Sequence, residues 1–190
     1  MATVVGISGA LRRGSYNAAL LRTAVELAPA GLVIETAAIR DIPLYDGDLE
    51  AEHGLPEPVR VLKDRIAAAD ALLLVTPEYN NSMPGVLKNA IDWLSRPTDD
   101  IPRVFGDKPA GLMGATMGRG GTMLAHVAWL PVLRALGTQP WFGPRIHVSS
   151  AAKVFDRDGR MVDDAVRASV AKYLEGFSQF IARVGRRRQT

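Results

Sequence analysis

The stretch of residues 6–17, "GISGALRRGSYN", has the composition of an anion-binding loop. It holds three glycines, two serines, two arginines and an asparagine, after an aliphatic run and before residues with helical spacing. N–H groups at a helix start are unpaired, and the helix dipole is positive there, so this position suits a phosphate. Ser8, Ser15 and Asn17 can add hydrogen bonds, and the arginines can add charge. The alternative is a plain loop in which Ser15 is an N-cap.

Familiar phosphate-binding motifs do not fit this loop. There is no G-x-x-x-x-G-K-[ST] pattern, and the glycines at 6, 9 and 14 do not form G-x-G-x-x-G, which disfavours a dinucleotide site. The chain contains no cysteine, which excludes a cysteine-based phosphatase loop, disulfides and thiolate metal sites. The sequence therefore leaves a mononucleotide-type phosphate site as the functional interpretation.

Two further loops carry residues suited to a flat ligand. The segment 76–85, "TPEYNNSMPG", offers backbone amides, the Asn80 side chain and the Tyr79 ring. The segment 115–121, "ATMGRGG", is rich in glycine and can bring bare backbone close to a ligand. We expect Ser82 to cap the next helix, with Pro84 in its first turn. Neither loop holds a Ser-His-Asp set or a His/Asp metal cluster.

These loops need a scaffold, and the chain alternates short aliphatic runs with helical spacing. Strands are predicted over residues 3–7, 33–37, 71–75, 109–116 and 141–148, and helices over 17–27, 59–69, 86–94, 123–136 and 163–184. Residues 44–58, rich in proline, glycine and acid, are predicted as a surface loop. Pro131 is expected to kink the fourth helix or mark its start. The alternation predicts a parallel sheet covered on both faces.

The fold class is therefore α/β, a flavodoxin-like three-layer sandwich. It has a five-stranded parallel sheet in the order 2-1-3-4-5 with helices on both faces. In this order the sheet reverses direction between strands 1 and 3, and their carboxyl ends form the ligand crevice. The three loops would meet there, where a flat heteroaromatic mononucleotide would find a phosphate cradle and an aromatic wall.

Bulk properties limit the partners of the protein. A chain of 190 residues suits one domain, predicted as residues 1–184 with a basic tail at 185–190. The net charge of +3 is too mild to indicate nucleic acid as a partner. No signal peptide is visible, and no run approaches the ~18 apolar residues of a membrane helix. We expect a cytoplasmic protein without a membrane partner.

The three loops together resemble the NADPH-dependent FMN reductase family. The segments "GISGALRRGSYN", "TPEYNNSMPGVLKNAIDWLSR" and "MGRGG" look like its signatures, most specifically over residues 77–96. The resemblance covers about the first two-thirds of the chain. The family is similar in fold to flavodoxin and includes chromate-, quinone- and azo-reducing enzymes. It implies FMN as the cofactor and NADPH or NADH as the electron donor.

The resemblance also implies FMN contacts on each loop. Leu11, Arg12, Ser15 and Asn17 would surround the phosphate; Pro77, Glu78, Tyr79 and Asn80 would line the isoalloxazine and ribityl chain; Thr116 and Gly118 would contact the polar edge of the ring. Ala10 stands where a serine is frequent in the family, so Ser8 would supply that hydroxyl. No residue is predicted to be catalytic, because the flavin carries the chemistry.

The implied reaction passes hydride from NAD(P)H to FMN and then electrons to a small-molecule acceptor, with ping-pong kinetics. That acceptor would be a quinone, an azo compound, a metal oxyanion or free flavin. Two alternatives stay open: a flavodoxin-like electron carrier without NAD(P)H turnover, and a flavin-binding module that has lost turnover. Carriers of that type tend to be strongly acidic, which the net basic charge disfavours. The resemblance further implies a homodimer or homotetramer whose partner subunit closes the pocket.

Five residues near these loops and helices carry more ordinary expectations. Glu78 is expected to face solvent or a neighbouring subunit rather than donate a proton. Tyr79 is equally compatible with stacking on a substrate and with packing. His126 is expected to be a partly buried helix residue, and His147 has no partner pattern that suggests a metal. Trp93 is expected in the core or at a dimer contact.

Overall fold

The computed structural model describes residues 1–187, which form one sheet flanked by helices. Within that range the strands are β1 (Ala2–Ser8), β2 (Leu32–Ala37), β3 (Ala71–Val75), β4 (Pro109–Ala115), β5 (Gln139–Pro140) and β6 (Ile146–Val148). The helices are α1 (Tyr16–Glu26), α2 (Gly47–His53), α3 (Glu57–Ala68), α4 (Gly85–Leu94), α5 (Ile101–Phe105), α6 (Met123–Ala135), α7 (Ala151–Val154) and α8 (Asp164–Arg187), with a 3₁₀ turn at Thr98–Asp100.

The sheet has the predicted topology. Its order is β2-β1-β3-β4-β5, all neighbouring strands are parallel, and β6 also pairs with β4. β3 is buried along its whole length, as its unbroken run of aliphatic residues predicted. One apolar core packs α1 and α8 against one face, and a second packs α3, α4, α5 and α6 against the other. The flavodoxin-like three-layer α/β fold is confirmed, and Trp93 lies in the second core.

The prediction of a continuous fifth strand over 141–148 is wrong. The chain pairs with β4 at Pro140, leaves the sheet after Trp141, and rejoins β4 where Ile146 lies opposite Met113. Pro144 lies in the excursion and has no N–H to donate, so a regular ladder cannot continue through it. The middle of β4 is therefore left without a neighbouring strand on this edge.

Residues 44–58 are not a simple loop, because they contain α2. The Asp46 carboxylate accepts a hydrogen bond from the N–H of Asp48 and so begins the helix. Glu50 in this helix binds Arg96, with its Oε2 atom 2.8 Å from Nε. No residue of α2 is buried, so the sequence shows no apolar periodicity that could have indicated a helix.

Two other boundaries differ from the predictions. α6 begins at Met123 and continues across Pro131, so the proline does not mark the start of the helix. α8 continues past residue 184 to Arg187, so the predicted tail begins inside a helix, and its residues 188–190 lie outside the described part of the chain. None of the helices within residues 1–187 is long and apolar enough to cross a bilayer.

Candidate functional site

A cleft of about 420 Å³ opens at the carboxyl ends of β1, β3 and β4. Its walls come from the three loops that the sequence singled out, which confirms that the sheet brings them together. The lining residues are Ala10, Arg12, Ser15, Tyr16, Asn17, Pro77, Glu78, Tyr79, Ala115, Thr116 and Met117.

The first wall is a set of donors ahead of α1. The Ser15 hydroxyl accepts hydrogen bonds from the N–H groups of Asn17 and Ala18, both at 3.2 Å, so Ser15 is the predicted N-cap. The N–H groups of residues 10–14 find no acceptor among the described residues. The Arg12 guanidinium lies 5.1 Å from the centre of the Tyr16 ring, within reach of a cation–π interaction. Unpaired amides, a helix start and a cation together suit an anion.

Asn17 ties the first wall to the third. Its Nδ2 atom donates to the carbonyl of Ala115 at 2.8 Å, and its Oδ1 atom accepts from the Ala115 N–H at 2.9 Å. Asn17 and Ala115 are buried, so the two bonds supply partners for the N–H and carbonyl groups of Ala115, which water cannot reach. Its side chain thus fixes the end of β4 relative to α1, whereas the resemblance implied a phosphate contact.

The second wall is a tight hairpin within "TPEYNNSMPG". Tyr79 and Ser82 exchange two backbone hydrogen bonds of 3.0 Å, and the two residues between them, Asn80 and Asn81, have φ values of 50° and 60°. Positive φ at both central positions defines a type I′ turn, a conformation that asparagine tolerates better than most residues. The prediction that Ser82 caps the next helix is wrong, because Ser82 closes this turn and Pro84 holds the N-cap position of α4.

A glycine lets the first two walls meet. A Cβ atom on Gly9 would lie 2.9 Å from the Leu87 side chain and 3.1 Å from the ring of Pro77. The loop after β1 therefore packs directly on the hairpin and on the start of α4. Leu11 lies in the same loop, and its carbonyl accepts a hydrogen bond from Arg40, which holds the loop from the outside.

Glu78 does not simply face solvent, which corrects the expectation for this residue. Its Oε2 atom accepts a hydrogen bond of 3.0 Å from the N–H of Ala125, in the first turn of α6. A carboxylate at a helix N-terminus satisfies an unpaired donor and interacts favourably with the helix dipole. Glu78 thus links the hairpin to α6. Tyr79 beside it remains 48% exposed at the cleft, which fits stacking better than packing.

The third wall is the segment that follows β4. Thr116 lines the cleft, and its Oγ1 atom accepts a hydrogen bond of 3.3 Å from the Gly118 N–H. Gly118 in turn accepts from Ser150 at 3.0 Å, which anchors the loop to the chain before α7. Met117 is 61% exposed at the mouth of the cleft.

Most of the predicted contact residues line the cleft, and four do not. Arg12, Ser15, Asn17, Pro77, Glu78, Tyr79 and Thr116 line it, whereas Ser8, Leu11, Asn80 and Gly118 lie outside its lining. The predicted contacts did not include four other lining residues, Ala10, Tyr16, Ala115 and Met117. Each lies within a loop that the sequence singled out and is adjacent to a predicted contact, so the loops were predicted correctly and only the choice of residues within them was incomplete.

The donors of the first wall fit a phosphate, and the second and third walls place the exposed Tyr79 ring and the Thr116 loop on the same cleft. With the strand order of the sheet, these features define a mononucleotide-binding protein of the flavodoxin-like class. Comparison with known proteins narrows that class. The model of the NADPH-dependent FMN reductase family matches residues 2–153, and the chain belongs to this family. It is an oxidoreductase that uses FMN and NAD(P)H.

Similar proteins span nearly the whole chain. An NAD(P)H-dependent FMN reductase of Pseudomonas aeruginosa is 46% identical over 181 residues, covering 95% of this chain and 96% of the relative. A quinone reductase of Escherichia coli is 37% identical over 183 residues, with 95% and 96% covered. The solved structure of FerB, a flavoenzyme NAD(P)H:(acceptor) oxidoreductase from Paracoccus denitrificans, superposes with a TM-score of 0.86 at 34% identity and covers 96% of this chain and 98% of FerB.

Proposed function

We propose that this enzyme reduces quinones by a ping-pong reaction in the cleft. The observation that carries the proposal is the exposed surface of Tyr79 and Met117, both of which line the cleft. Donor and acceptor would both bind against this surface and would therefore have to bind in turn. The names of two relatives support the acceptor class, the quinone reductase of Escherichia coli and a 2-hydroxy-1,4-benzoquinone reductase of a Burkholderia species that is 38% identical.

Residues of all three walls would hold FMN. The Arg12 guanidinium and the N–H groups of residues 10–14 would bind the phosphate, while Pro77, Tyr79 and Thr116 would border the ring. Bound FMN would supply the capacity to accept a hydride and release electrons to the acceptor. The backbone of the hairpin and of the 115–118 loop would hold the ring in one orientation, and the Tyr79 ring would shield its open side from water.

We also propose a homodimer or homotetramer of a cytoplasmic, single-domain enzyme whose domain spans residues 1–184. Met117, Met123, Leu124 and Val127 support the oligomer, because these four apolar side chains, on the loop after β4 and in the first turns of α6, are exposed. A second copy that covered them would remove this surface from water and complete the cleft. Sedimentation of the FMN-loaded protein tests the assembly.

Anaerobic reduction tests the reaction itself. The protein is loaded with FMN and mixed with NADPH or NADH in a stopped-flow spectrophotometer, and a quinone is added in a second mix. We expect the flavin absorbance to bleach and then return, and steady-state plots at several quinone concentrations to be parallel. Tight FMN binding without bleaching would instead indicate an electron carrier. Intersecting plots would contradict the ping-pong order, and absent FMN binding would overturn the assignment of the cleft.

A further inference from the structure

A smaller pocket adjoins the cleft at its phosphate end. It measures about 220 Å³ and shares Ser15 and Tyr16 with the lining of the cleft. The rest of its lining comes from residues 13 and 14, from α1 and from the turn at residues 156–159 that follows α7. Because the shared residues are the N-cap and the first residue of α1, the pocket continues from the end of the cleft where the N–H groups of residues 10–14 lie.

Three arginines reach this pocket from separate parts of the chain. Arg13 precedes α1, Arg22 lies in α1, and Arg157 lies in the turn after α7. None of the three forms an ion pair with a carboxylate among residues 1–187. Guanidinium groups bind phosphate through paired, charge-assisted hydrogen bonds, so three of them around one pocket suit an anionic ligand. We call this cavity the arginine pocket.

Backbone geometry holds one of these arginines at the arginine pocket. The Nη2 atom of Arg22 lies 3.5 Å from the carbonyl oxygen of Gly159. Gly159 has a φ of 75°, and a Cβ atom there would lie 2.5 Å from the same Nη2 atom. The turn after α7 therefore requires glycine at this position for two reasons, the left-handed φ and the close approach of the Arg22 guanidinium.

Two aspartates also line the arginine pocket, but they do not cancel its positive charge. The Asp156 carboxylate accepts hydrogen bonds from the N–H groups of Asp158 and Arg160, at 2.9 and 2.8 Å, so it is directed at the backbone of its own turn. Asp158 is exposed to solvent. The lining therefore has three positive charges against two negative charges, and one of the negative charges is already hydrogen-bonded within the turn.

Arg12 lies at the boundary between the cleft and the arginine pocket. It lines the cleft, and its guanidinium lies over the Tyr16 ring, which in turn stacks on Phe155 with centroids 5.7 Å apart. A Cβ atom on Gly14, which lines the arginine pocket, would lie 3.7 Å from the Nη1 atom of Arg12. A ligand with two linked phosphates would therefore pass Arg12 on its way from the cleft into the arginine pocket.

We propose that the arginine pocket binds the phosphate of the AMP half of FAD, so that the protein accepts FAD as well as FMN. FAD is FMN extended through its phosphate by AMP, and the inference rests on the placement of the FMN phosphate proposed above. The second phosphate would lie among Arg13, Arg22 and Arg157. A volume of about 220 Å³ is below the range for drug-sized ligands, so the pocket would hold this phosphate and leave the adenosine at its exposed rim.

Competition between the two flavins tests the arginine pocket directly. The FMN-loaded protein is equilibrated with equal concentrations of FMN and FAD until the bound ratio is constant, free flavin is removed, and the bound flavins are separated by chromatography. We expect FAD to make up at least half of the bound flavin in the unmodified protein, because the second phosphate adds contacts that FMN lacks. A smaller share of FAD would overturn the proposal.

Variants that change the charge of the lining in opposite directions make the test specific. Arg157→Gln should lower the ratio of bound FAD to bound FMN about threefold to tenfold, because it removes a cation from the lining. Asp158→Asn removes a carboxylate and should raise the ratio about twofold. Arg160→Gln changes an exposed arginine next to the turn but outside the lining, and as the matched control it should leave the ratio unchanged. An unchanged ratio in Arg157→Gln would overturn the assignment of the pocket.

Two further measurements separate this inference from the placement of FMN and from donor binding. FMN affinity, measured by fluorescence quenching, should be the same in all three variants, since none of the changed residues lines the cleft. Absent FMN binding in the unmodified protein would overturn the assignment of the cleft and this inference with it, whereas tight FMN binding with FAD excluded would overturn this inference alone. If Arg157→Gln raised the KM for NADPH but not for NADH, at an unchanged flavin ratio, the pocket would hold the 2′-phosphate of the donor and the proposal would be wrong.

Discussion

Several polar groups at the cleft lack hydrogen-bond partners within residues 1–187, whereas those around the start of α5 have them. At the cleft, the N–H groups of residues 10–14 have no acceptor among the described residues, and the Arg12 guanidinium has only the face of the Tyr16 ring beside it. Around the start of α5, by contrast, polar groups are paired. Lys63 of α3 is 2% exposed, and its ammonium donates to the Arg96 carbonyl and lies 2.9 Å from Asp100. Arg103 binds the same carboxylate through two nitrogens, at 2.7 and 2.8 Å. We call Lys63, Asp100 and Arg103 the ionic cluster.

The difference shows which polar groups serve stability and which serve binding. In the ionic cluster two cations share the Asp100 carboxylate and Asp64 lies 3.2 Å from Arg103 as a second carboxylate, and hydrogen bonds from Arg103 and then Lys63 hold the pKa of Asp100 well below its usual value. At the cleft the donors are unmatched, so an anionic ligand gains their full interaction. Substitutions in the cluster should therefore change stability alone, and substitutions at the cleft donors should change FMN binding alone.

The largest effect on stability is expected from Asp100→Ala. It leaves the buried Lys63 ammonium facing only a carbonyl, so the free energy of unfolding should fall by about 2–3 kcal/mol. Urea denaturation measures this fall, and FMN affinity should stay unchanged. Asp99→Ala removes an exposed neighbouring carboxylate and is the matched control. If Asp100→Ala, measured where the variant is fully folded, lost much of its FMN affinity, the ionic cluster would affect binding as well as stability, which contradicts the expected division.

The Asp100 carboxylate should also make the free energy of unfolding depend on pH in the acid range. The pKa of Asp100 is lower in the folded state than its ordinary value of 3.8, so its contribution to stability is present above 3.8 and is lost as the pH falls toward the folded pKa. The free energy of unfolding should therefore fall more steeply on acidification in the unmodified protein than in Asp100→Asn. Urea denaturation at neutral pH and below 3.8 measures both slopes, and equal slopes would contradict the role of Asp100.

Asn17 sharpens the comparison, because it lies in the cleft but, like the residues of the ionic cluster, has hydrogen-bond partners within the protein. Asn17→Ala removes both bonds to Ala115, which should lower the free energy of unfolding by about 2 kcal/mol and weaken FMN binding as the two loops separate. Asn17→Asp keeps an acceptor for the Ala115 N–H and loses the donor to the Ala115 carbonyl. Its free energy of unfolding should therefore lie between those of the unmodified protein and Asn17→Ala. If Asn17→Ala weakened FMN binding with no change in unfolding, its role would be that of a direct ligand.

Arg12→Gln should change binding without changing stability. The guanidinium has no carboxylate partner among the described residues and loses only its contact with the Tyr16 ring, so the free energy of unfolding should change by no more than about 0.5 kcal/mol, the weight of an exposed cation–π interaction. FMN should bind about tenfold more weakly, because one charge-assisted contact to the phosphate is lost. Fluorescence quenching of FMN measures the affinity. Arg13→Gln, next to it but outside the cleft lining, is the control and should bind FMN as the unmodified protein does.

The sequence predicted the sheet well because its longer strands contain aliphatic runs, and the bounds of β3, whose run is unbroken, were predicted to the residue. It failed where structure depends on partners distant in sequence. α2 depends on Asp46 and on an ion pair to Arg96, 46 residues away from Glu50, and has no buried face to show in the pattern. The break after Trp141 had a local indication in Pro144, but the aromatic residues before it and the aliphatic residues after it outweighed it.

The three loops of the site were predictable from the sequence, but the hydrogen-bond partners of their side chains were not. Composition placed Arg12 and Tyr79 at the cleft. The bonds of Asn17 span 98 residues and those of Glu78 span 47, so nothing in the local pattern reveals that these polar groups have protein partners. Asn80 was predicted as a ligand contact, whereas the positive φ values of Asn80 and Asn81 show that these two residues form the turn of the hairpin.

Glu78 offers the smallest and most local test of the comparison, because its carboxylate lines the cleft and also binds the N-terminus of α6. Glu78→Gln keeps an oxygen for the Ala125 N–H but removes a charge from the N-terminus of α6, which should lower the free energy of unfolding by about 0.5 kcal/mol. The Glu78 charge raises the pKa of His147, against the lowering by burial and by Arg145. Glu78→Gln should therefore lower the pKa of His147 further, while Arg145→Gln should raise it, as ¹H–¹⁵N NMR titration of the imidazole measures. A shift of the same sign in both variants would mean that repacking of the ring, and not charge, sets the pKa of His147.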